Sequence, residues 1–337
     1  MTLSPIGATG AENAPLAALH ALCRDEMAAV NALILRQMQS QVSLIPQIAG
    51  HIIAAGGKRL RPLMTLACAR LCGYEGDAHI GLAATVEFIH TATLLHDDVV
   101  DESGLRRGAN TANAVWGNKA SVLVGDFLLS RAFLQMVHSG SLEILEILSR
   151  ASAIIAEGEV HQLITANDIS TDEANYLDVV TAKTAALFAA ACQIGGVAAK
   201  SPVAMTEGLR LYGLNLGIAY QLVDDCLDYG AHEEKLGKDL GDDFRDGKIT
   251  LPVILAIQQA SDNERKFWRR TLEELDQRKG DFTRAVELIE KYGALEQSLV
   301  RAREFATRAE QALTPFPEGP FHAALLNIAK SSADRAN

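Results

Sequence analysis

Aromatic side chains are scarce in this sequence: Phe, Trp and Tyr together make up 5% of its 337 residues. Hydrophobic residues nevertheless reach 48%, so most of the apolar volume comes from aliphatic side chains such as Ala and Leu. This composition favours packed helices over sheets. No segment shows the sustained alternation of a strand. We therefore expect an all-α protein.

The sequence also lacks an excess of basic residues. It contains 31 Lys and Arg residues against 42 Asp and Glu residues, which gives a formal net charge of −11. Proteins that bind nucleic acid usually present a basic surface to the phosphates, so we exclude a nucleic-acid partner. The basic residues that matter act locally.

Cysteines are few and form no CxxC pair; the five are Cys23, Cys68, Cys72, Cys192 and Cys226. Cys68 and Cys72 stand four residues apart on a predicted helix, so they are either a redox pair or small apolar core residues. An odd number of cysteines without a metal-binding pattern suits a reducing, cytoplasmic setting.

Long apolar runs and targeting signals are also missing. The N-terminus has no basic region followed by an apolar core and predicts no signal peptide. The longest apolar run, residues 184–199, has 16 residues, fewer than the ~20 that a membrane-spanning helix needs. Because no change in composition marks a second domain, we expect a soluble protein with a flexible tail over residues 1–15 and a single domain over 16–337.

What the sequence does contain is an apolar helix that ends in carboxylates. Residues 88–108 read FIHTATLLHDDVVDESGLRRG and include Asp97, Asp98 and Asp101. At about 100° per residue, Asp97 and Asp101 share a helix face with His90. Carboxylates this close repel one another unless a cation lies between them. The alternative is a solvated helix end.

The same DDxxD spacing recurs 127 positions later, where Asp224, Asp225 and Asp228 follow a second apolar run. Gln221, Asp224 and Asp228 recur at helical intervals and therefore lie on one face. Two such helices can face one another across a cavity and hold hard cations. Asp oxygens, with no Cys or His at ligand spacing nearby, suit Mg²⁺ rather than Zn²⁺. Mg²⁺ usually binds a few carboxylates together with substrate phosphates, so the pair predicts a diphosphate ligand.

A basic stretch, GGKRLRP at residues 56–62, precedes another apolar helix. Pro62 fits the first turn of a helix, and such a start offers N–H groups and a positive dipole end to an anion. Lys58 and Arg61 are the side chains best placed to help; the alternative is an ordinary basic loop.

Two further segments offer cations. Lys183 lies next to Thr184 in an Ala-rich helix and either extends to solvent or faces a ligand. Residues 232–247, HEEKLGKDLGDDFRDG, form a long polar loop that contains three glycines and Lys238. Such loops in compact domains are often active-site lids.

Taken together, the two DDxxD motifs, GGKRLRP, EFIHTATLLHDDVVDESGLRRG, the Lys183–Thr184 pair and GKD at 237–239 resemble the trans-isoprenyl diphosphate synthases. The resemblance is strongest to the long-chain members, the octaprenyl, solanesyl and decaprenyl diphosphate synthases that make side chains of quinones such as ubiquinone. It implies a single-domain all-α bundle of ten or more helices around a deep central cavity, of the isoprenoid synthase type and usually homodimeric. It also implies Mg²⁺-dependent, sequential head-to-tail addition of isopentenyl diphosphate to an allylic diphosphate, farnesyl or geranylgeranyl.

The resemblance implies roles for the matching positions. Mg²⁺ and the allylic diphosphate would be held by Asp97, Asp98, Asp101, Asp224, Asp225 and Asp228. The same diphosphate would be contacted by Arg106, Lys183 and Lys238. Isopentenyl diphosphate would be held by Lys58, Arg61, His90 and Arg107. Oxygen dipoles would be turned toward the developing carbocation by Thr184 and Gln221.

Product length would depend on residues near the first motif. In the family, bulky aromatics four and five residues before this motif block short products, and here those positions are Thr93 and Ala92. Ideal geometry aims Thr93 toward the Asp97 face but puts Ala92 roughly 140° away, so the role of Ala92 rests on the resemblance. Phe133 on the next helix is the expected pocket floor.

Three other functions share part of the pattern. A class I terpene cyclase also uses DDxxD and Mg²⁺, but it needs no isopentenyl site, so GGKRLRP and Arg107 count against it. A non-catalytic partner subunit tends to lose one aspartate cluster, whereas both are intact here. A shorter-chain, geranylgeranyl-type synthase is the third alternative.

Overall fold

The computed structural model describes residues 14–54, 56–106, 108–230 and 241–334. Over these residues the chain is helical, with a single two-stranded antiparallel hairpin, so the all-α prediction is confirmed. In chain order the elements are α1 (Ala14–Leu22), α2 (Arg24–Gln37), α3 (Leu44–Ala54), α4 (Leu60–Leu71), α5 (Ala78–Val100), β1 (Leu105–Arg106), β2 (Ala109–Asn110), α6 (Ala112–Trp116), α7 (Asn118–His138), α8 (Leu142–Thr165), α9 (Glu173–Val180), a π turn (Thr181–Ala185), α10 (Ala186–Ala198), α11 (Val203–Asp228), α12 (Asp242–Arg245), α13 (Leu251–Gln259), α14 (Asp262–Trp268), a second π turn (Arg269–Glu273), α15 (Asp281–Lys291), α16 (Ala294–Ala312) and α17 (Pro320–Asp334).

Internal contacts divide the described chain into two compact units. Unit 1 takes in the chain up to Ser152, Leu187–Arg210 and Pro315–Asn327. Unit 2 takes in Ala153–Ala186, Leu211–Thr314 and the chain from Ile328 onward. A single domain over 16–337 and a deep central cavity both stay predictions.

Helix α5 is the centre of unit 1, where it packs against α2, α4 and α7. Its middle is buried from Leu82 to Ile89, because small and branched side chains let neighbouring helices approach on several sides. The helix ends where the acids begin: the Asp101 N–H donates to the Asp97 carbonyl at 2.8 Å. The apolar core of unit 1 therefore holds the first aspartate cluster at its edge.

Unit 2 has a core of its own around α13, which packs against α9, α15 and α16. Residues 251–257 of this helix are all buried. Pro252 lies in its first turn, where its missing N–H breaks no helical hydrogen bond. Phe244, Tyr176 and Trp268 add the aromatic part of this core.

The N-terminal region differs in detail from the sequence-based expectation. Helix α1 begins at Ala14, inside the segment expected to be a flexible tail; residues 1–13 lie outside the described chain.

The cysteines are all free. Burial raises the pKa of the Cys68 thiol, which is hydrogen-bonded to Cys192, while Cys72 is hydrogen-bonded to Ser201. Since Cys68 and Cys72 have different partners, the structure favours core residues over a redox pair.

The length argument against a membrane-spanning helix was wrong. Three helices, Ala78–Val100, Asn118–His138 and Glu173–Ala198, are long and apolar enough to cross a membrane by length and composition alone. The last of them extends the run 184–199 toward the N-terminus through α9 and the π turn. The protein itself buries 67%, 33% and 56% of their apolar windows, respectively.

Candidate active site

The first aspartate cluster lies at the carbonyl end of α5. Asp98 is buried, Asp97 is half-buried and Asp101 is exposed. This end of a helix carries a partial negative charge, and α5 has no basic residue in its last turn. Acidic side chains are unfavourable there unless a cation compensates them, so the local electrostatics favour cation binding.

The hairpin β1–β2 returns Arg106 to this cluster. Arg106 pairs with Ala109 across the hairpin. Its Nε and Nη2 donate to Oδ1 of Asp98 at 2.8 and 2.7 Å. The Asn113 side chain stabilises the segment between α5 and the hairpin by donating to the backbone carbonyls of Asp98 and Ser103 at 2.9 and 3.1 Å. The Arg106 side chain remains 33% exposed, so it can reach an incoming anion.

Two of the predicted phosphate contacts, Arg107 and Lys238, lie outside the described residues, as does most of the predicted lid, residues 232–240. Their roles stay predictions.

The basic stretch after α3 gives its arginines different tasks. Arg59 has a left-handed backbone, with φ 47, at the N-cap of α4. Its guanidinium donates to Glu87 of α5, and the two side chains are only 13% and 9% exposed. This buried ion pair joins the stretch to the helix that carries the first aspartate cluster.

Arg61, in contrast, lies against His90. Its Nη1 is 3.1 Å from His90 Nε2, and its guanidinium stacks 4.5 Å from the ring centroid of Phe188. Since Arg has no acceptor, His90 Nε2 must be the unprotonated acceptor in this contact. Lys58, three residues earlier, is exposed. The structure therefore brings together Arg61 and His90, two of the residues predicted to hold isopentenyl diphosphate.

The predicted chain-length residues have different surroundings. Ala92 is buried at 2% exposure, and the half-buried Thr93 donates its hydroxyl to the His90 carbonyl at 2.8 Å. Phe133 is 44% exposed on α7, beside exposed Leu134. Phe133 thus lies at the surface rather than in the core, and all three roles stay predictions.

The second aspartate cluster ends α11 in unit 2, again without a basic residue in the last turn. Asp225 is buried, whereas Asp224 and Asp228 are half-buried. The Asp243 N–H donates to Asp228 Oδ2 at 3.0 Å. Burial, and then the charge of Asp243, raise the pKa of Asp228 to about 6 and raise the pKa of Asp225 as well. Crowded carboxylates of this kind are what a divalent cation stabilises.

A chain of hydrogen bonds runs from this cluster to the predicted carbocation-facing residues. The Tyr176 hydroxyl donates to Asp225 Oδ2 at 2.5 Å, and Gln221 Nε2 donates to Asp225 Oδ1 at 2.7 Å. The Thr184 hydroxyl in turn donates to Gln221 Oε1 at 3.0 Å. The structure thus brings Thr184 and Gln221 together, as their shared predicted role requires.

Lys183 does not join this hydrogen-bond chain but contacts α8. It lies in the π turn, and its Nζ donates to Glu159 Oε2 of α8 at 2.8 Å. The other oxygen of Glu159 is buried without a hydrogen-bond partner. A Cβ on Gly158 would lie 2.6 Å from the Ala182 Cβ, so only glycine lets α8 approach the π turn this closely. Lys183 is therefore positioned by a neighbouring acid, at 27% exposure.

The carboxylates do not form a complete metal cage. Within the described ranges, no three His, Cys, Asp or Glu side chains are grouped closely enough to hold a metal ion by themselves. Mg²⁺ does not require such a cage, because it keeps waters and shares its coordination with substrate phosphates. The six predicted metal ligands stay predictions.

Sequence reasoning missed four residues near these groups, namely Glu87, Glu159, Tyr176 and Asp243. Glu87 shares a helix face with His90, and its position inside an apolar run was a usable signal of a buried ion pair. Tyr176 precedes Lys183 by two helical turns, which was a weaker signal. Asp243 lies just after the undescribed part of a charged loop, where no periodicity marks it.

Comparison with known proteins gives concordant matches. A model of the polyprenyl synthetase family matches residues 42–289. Octaprenyl diphosphate synthase of Escherichia coli (strain K12) is 47% identical over 317 residues, which cover 94% of this chain and 98% of that protein.

Solved structures agree with this match. A decaprenyl diphosphate synthase from Rhodobacter capsulatus has a TM-score of 0.93 at 50% identity, covering 96% of this chain and 100% of that one. A polyprenyl synthase from Caulobacter crescentus CB15, complexed with calcium and isoprenyl diphosphate, has a TM-score of 0.92 at 53% identity, covering 96% and 98%. The similarity thus extends over nearly the whole chain.

Proposed function

This chain belongs to the polyprenyl synthetase family, and we propose that it is a long-chain all-trans polyprenyl diphosphate synthase, a prenyltransferase. It adds isopentenyl diphosphate units to an allylic diphosphate primer. One observation carries the proposal: α5 and α11 both end in DDxxD clusters at their negative dipole ends, with Arg106 beside the first. The fold is that of the isoprenoid synthases.

The proposed cofactor is Mg²⁺, held by carboxylates of the two clusters. When bound, it supplies the positive charge that neutralises the departing pyrophosphate. The carboxylates fit this cation because they lie at negative helix ends and because burial, and then the charge of Asp243, raise the pKa of Asp225 and of Asp228. The relative from Caulobacter crescentus holds calcium together with isoprenyl diphosphate, which supports a divalent cation here.

The proposed substrate contacts separate the two diphosphates. Arg106 and Lys183 bind the allylic diphosphate, together with Lys238. Lys58, Arg61 and His90 bind isopentenyl diphosphate, together with Arg107. Each of these two described cations is paired with an acid of its own unit, Arg106 with Asp98 and Lys183 with Glu159, and both cations stay partly exposed. A diphosphate has more charge than one carboxylate and can therefore compete for them.

The bond-forming step is an attack of the isopentenyl double bond on the allylic cation, followed by loss of a proton to the released pyrophosphate. Thr184 and Gln221 present oxygen atoms to the cation. The Thr184 hydroxyl donates its hydrogen to Gln221, so its lone pairs remain available to positive charge. Closure by residues 232–247 would exclude water, which otherwise quenches the cation.

The proposed product is octaprenyl to decaprenyl diphosphate, a precursor of quinone side chains. The small side chain of Ala92 supports a long product, as do the similarities to octaprenyl and decaprenyl synthases. The primer is farnesyl or geranylgeranyl diphosphate.

We further propose a cytoplasmic homodimer. In unit 1, α7 and the start of α8 expose large apolar side chains, with Leu123 67%, Val137 66% and Leu142 83% exposed. Exposed apolar side chains of this size are typical of a surface covered by a second chain.

One assay tests the function. The purified full-length protein is incubated with farnesyl diphosphate, labelled isopentenyl diphosphate and Mg²⁺, and the dephosphorylated products are sized by chromatography. A single long polyprenol is expected, and chelation of Mg²⁺ should abolish it. Cyclic hydrocarbons would indicate a terpene cyclase, and the absence of turnover would indicate a non-catalytic subunit.

A further inference from the structure

The buried carboxylate of Asp225 has both of its oxygens engaged by neutral donors. Tyr176 donates to Oδ2 at 2.5 Å and Gln221 donates to Oδ1 at 2.7 Å. Asp225 is 5% exposed and Tyr176 is 6% exposed, so water contributes little to either group. A carboxylate held in this way has a fixed rotamer.

This fixed carboxylate determines the orientation of the Gln221 amide. Asp225 Oδ1 accepts from Gln221 Nε2, so Asp225 holds the NH₂ end of the amide. The carbonyl end is then turned away from Asp225, and Thr184 donates to it at 3.0 Å. If the amide reversed, two oxygens would face each other at the Asp225 end and the Thr184 bond would need a new geometry.

The π turn explains why Tyr176 and Thr184 both contact α11. Gln221 and Asp225 are one turn apart on α11. Tyr176 and Thr184 are eight residues apart, and on a regular α-helix they would differ by about 80°. The π turn at Thr181–Ala185 inserts one extra residue into the helix. Side chains that follow the complete turn are therefore rotated about the helix axis by about 100°. The extra residue therefore moves Thr184 toward the face of Tyr176, while Lys183 turns to Glu159.

We propose that Tyr176 is a positioning residue for prenyl transfer: by fixing the buried Asp225 carboxylate it orients the Gln221 amide, and through it Thr184, toward the allylic cation. In this arrangement Asp225 anchors the hydrogen-bond chain, and Asp224 and Asp228 are the members of the second motif that would hold the cation cofactor. The inference rests on the proposed function, because the orientation matters only if an allylic cation forms.

The central test is Tyr176→Phe, which removes one hydroxyl and keeps the ring. The kcat for isopentenyl addition should fall about tenfold, because a hydrogen bond to a buried carboxylate is lost. The KM values for both diphosphates should stay within twofold of wild type, because no proposed phosphate contact changes. A purely structural role would not separate kcat from KM in this way.

Tyr292→Phe is the matched control. Tyr292 also lies in unit 2 and also donates its hydroxyl to a carboxylate, Glu264 Oε2, at 2.8 Å. This variant loses the same kind of bond at a helix-capping site, so its kcat should equal that of wild type. An equal fall in kcat for both variants would overturn the proposal.

A spectroscopic measurement examines the orientation without turnover. In metal-free protein labelled with ¹⁵N-glutamine, the Gln221 side-chain amide signal is assigned by its loss in Gln221→Glu. Tyr176→Phe should shift this signal and speed its exchange with water, whereas Tyr292→Phe should leave it unchanged. An unchanged Gln221 signal in a folded Tyr176→Phe protein would overturn the proposal.

Asp225→Asn gives a second route if Tyr176→Phe folds poorly. The Asn side chain replaces one carboxylate oxygen with an NH₂ group, so one of the two donors, Tyr176 or Gln221, loses the oxygen that it contacts, and kcat should fall by a similar factor. Because Tyr176 acts through Asp225, the double variant should lose no more than Asp225→Asn alone. Additive losses would contradict the inference. If wild-type protein makes no polyprenol, the proposed function fails, and that result is distinct from all of these.

Discussion

The buried pair Arg59–Glu87 allows a quantitative prediction, because it joins the basic stretch to α5. The two side chains are 13% and 9% exposed, so solvent screens their interaction little. Glu87→Gln leaves the Arg59 guanidinium buried without a counter-charge, which typically costs about 3 kcal/mol of stability. Arg59 also has φ 47, a conformation that costs about 1 kcal/mol and that the pair helps to hold. Without the pair, this turn should relax.

The functional consequence follows from the position of the turn. Lys58 and Arg61 flank Arg59, so a relaxed turn displaces both proposed contacts to isopentenyl diphosphate. We expect Glu87→Gln to lower the free energy of unfolding by about 3 kcal/mol in urea titrations. We also expect the KM for isopentenyl diphosphate to rise about tenfold, the factor that corresponds to about 1.4 kcal/mol of binding. The KM for farnesyl diphosphate should hardly change.

Glu26→Gln is the control for this prediction. It removes the ion pair with Arg70 in the same unit, in which Arg70 Nε is 2.8 Å from Glu26 Oε1. The Arg70 side chain is 27% exposed and the Glu26 side chain 16% exposed. It should reduce stability by a smaller amount and leave both KM values unchanged. The reasoning would be refuted if Glu87→Gln lost stability but kept its KM for isopentenyl diphosphate, or if both KM values rose together.

Three further predictions concern the two helix ends and the π turn. Because burial and the charge of Asp243 raise the pKa of Asp228 from 3.8 to about 6, its contribution to stability is present below pH 3.8 and is lost as the pH rises through 6. Asp228→Asn should therefore make metal-free protein about 2 kcal/mol more stable than wild type at pH 7, and the difference should vanish toward pH 4 in urea titrations; a pH-independent difference would contradict this. Ala92→Phe should shorten the polyprenol product, and unchanged product length would refute its role in the pocket wall. Gly158→Ala should raise the KM for farnesyl diphosphate several-fold, because the added Cβ meets Ala182 at 2.6 Å and displaces the Lys183 backbone, whereas Gly50→Ala, with nothing within 4 Å, should leave it unchanged.

Much of the site could be predicted because its signals are local. An apolar run that ends in DDxxD predicts both a helix and the position where it ends. In the structure, α5 and α11 end at or just before the third aspartate of each motif. The contrast between Arg59 and Arg61 was partly visible as well, since the sequence favoured Lys58 and Arg61 as anion contacts. What it could not state is that Arg59 pairs with Glu87, because that contact depends on how α4 and α5 pack.

Other parts could not be predicted because no local pattern encodes them. The hairpin β1–β2 has strands of two residues, which are too short for a strand's alternating pattern to appear in the sequence. The π turn at Thr181–Ala185 leaves the apolar composition unchanged and alters only the phase of the helix. The sequence therefore does not show that Lys183 contacts Glu159 while the adjacent Thr184 contacts Gln221.

The two DDxxD motifs are identical in spacing but not in charge balance. In both, the middle aspartate is buried, Asp98 at 4% and Asp225 at 5% exposure, because it lies about 100° around the helix from the first one. A guanidinium, Arg106, compensates Asp98, whereas Asp225 is held by neutral donors. The middle aspartate of the first cluster is thus paired with a positive charge, whereas the contacts of Asp225 with Tyr176 and Gln221 supply none. A divalent cation should therefore relieve more repulsion at the second cluster, in agreement with the raised pKa of Asp228.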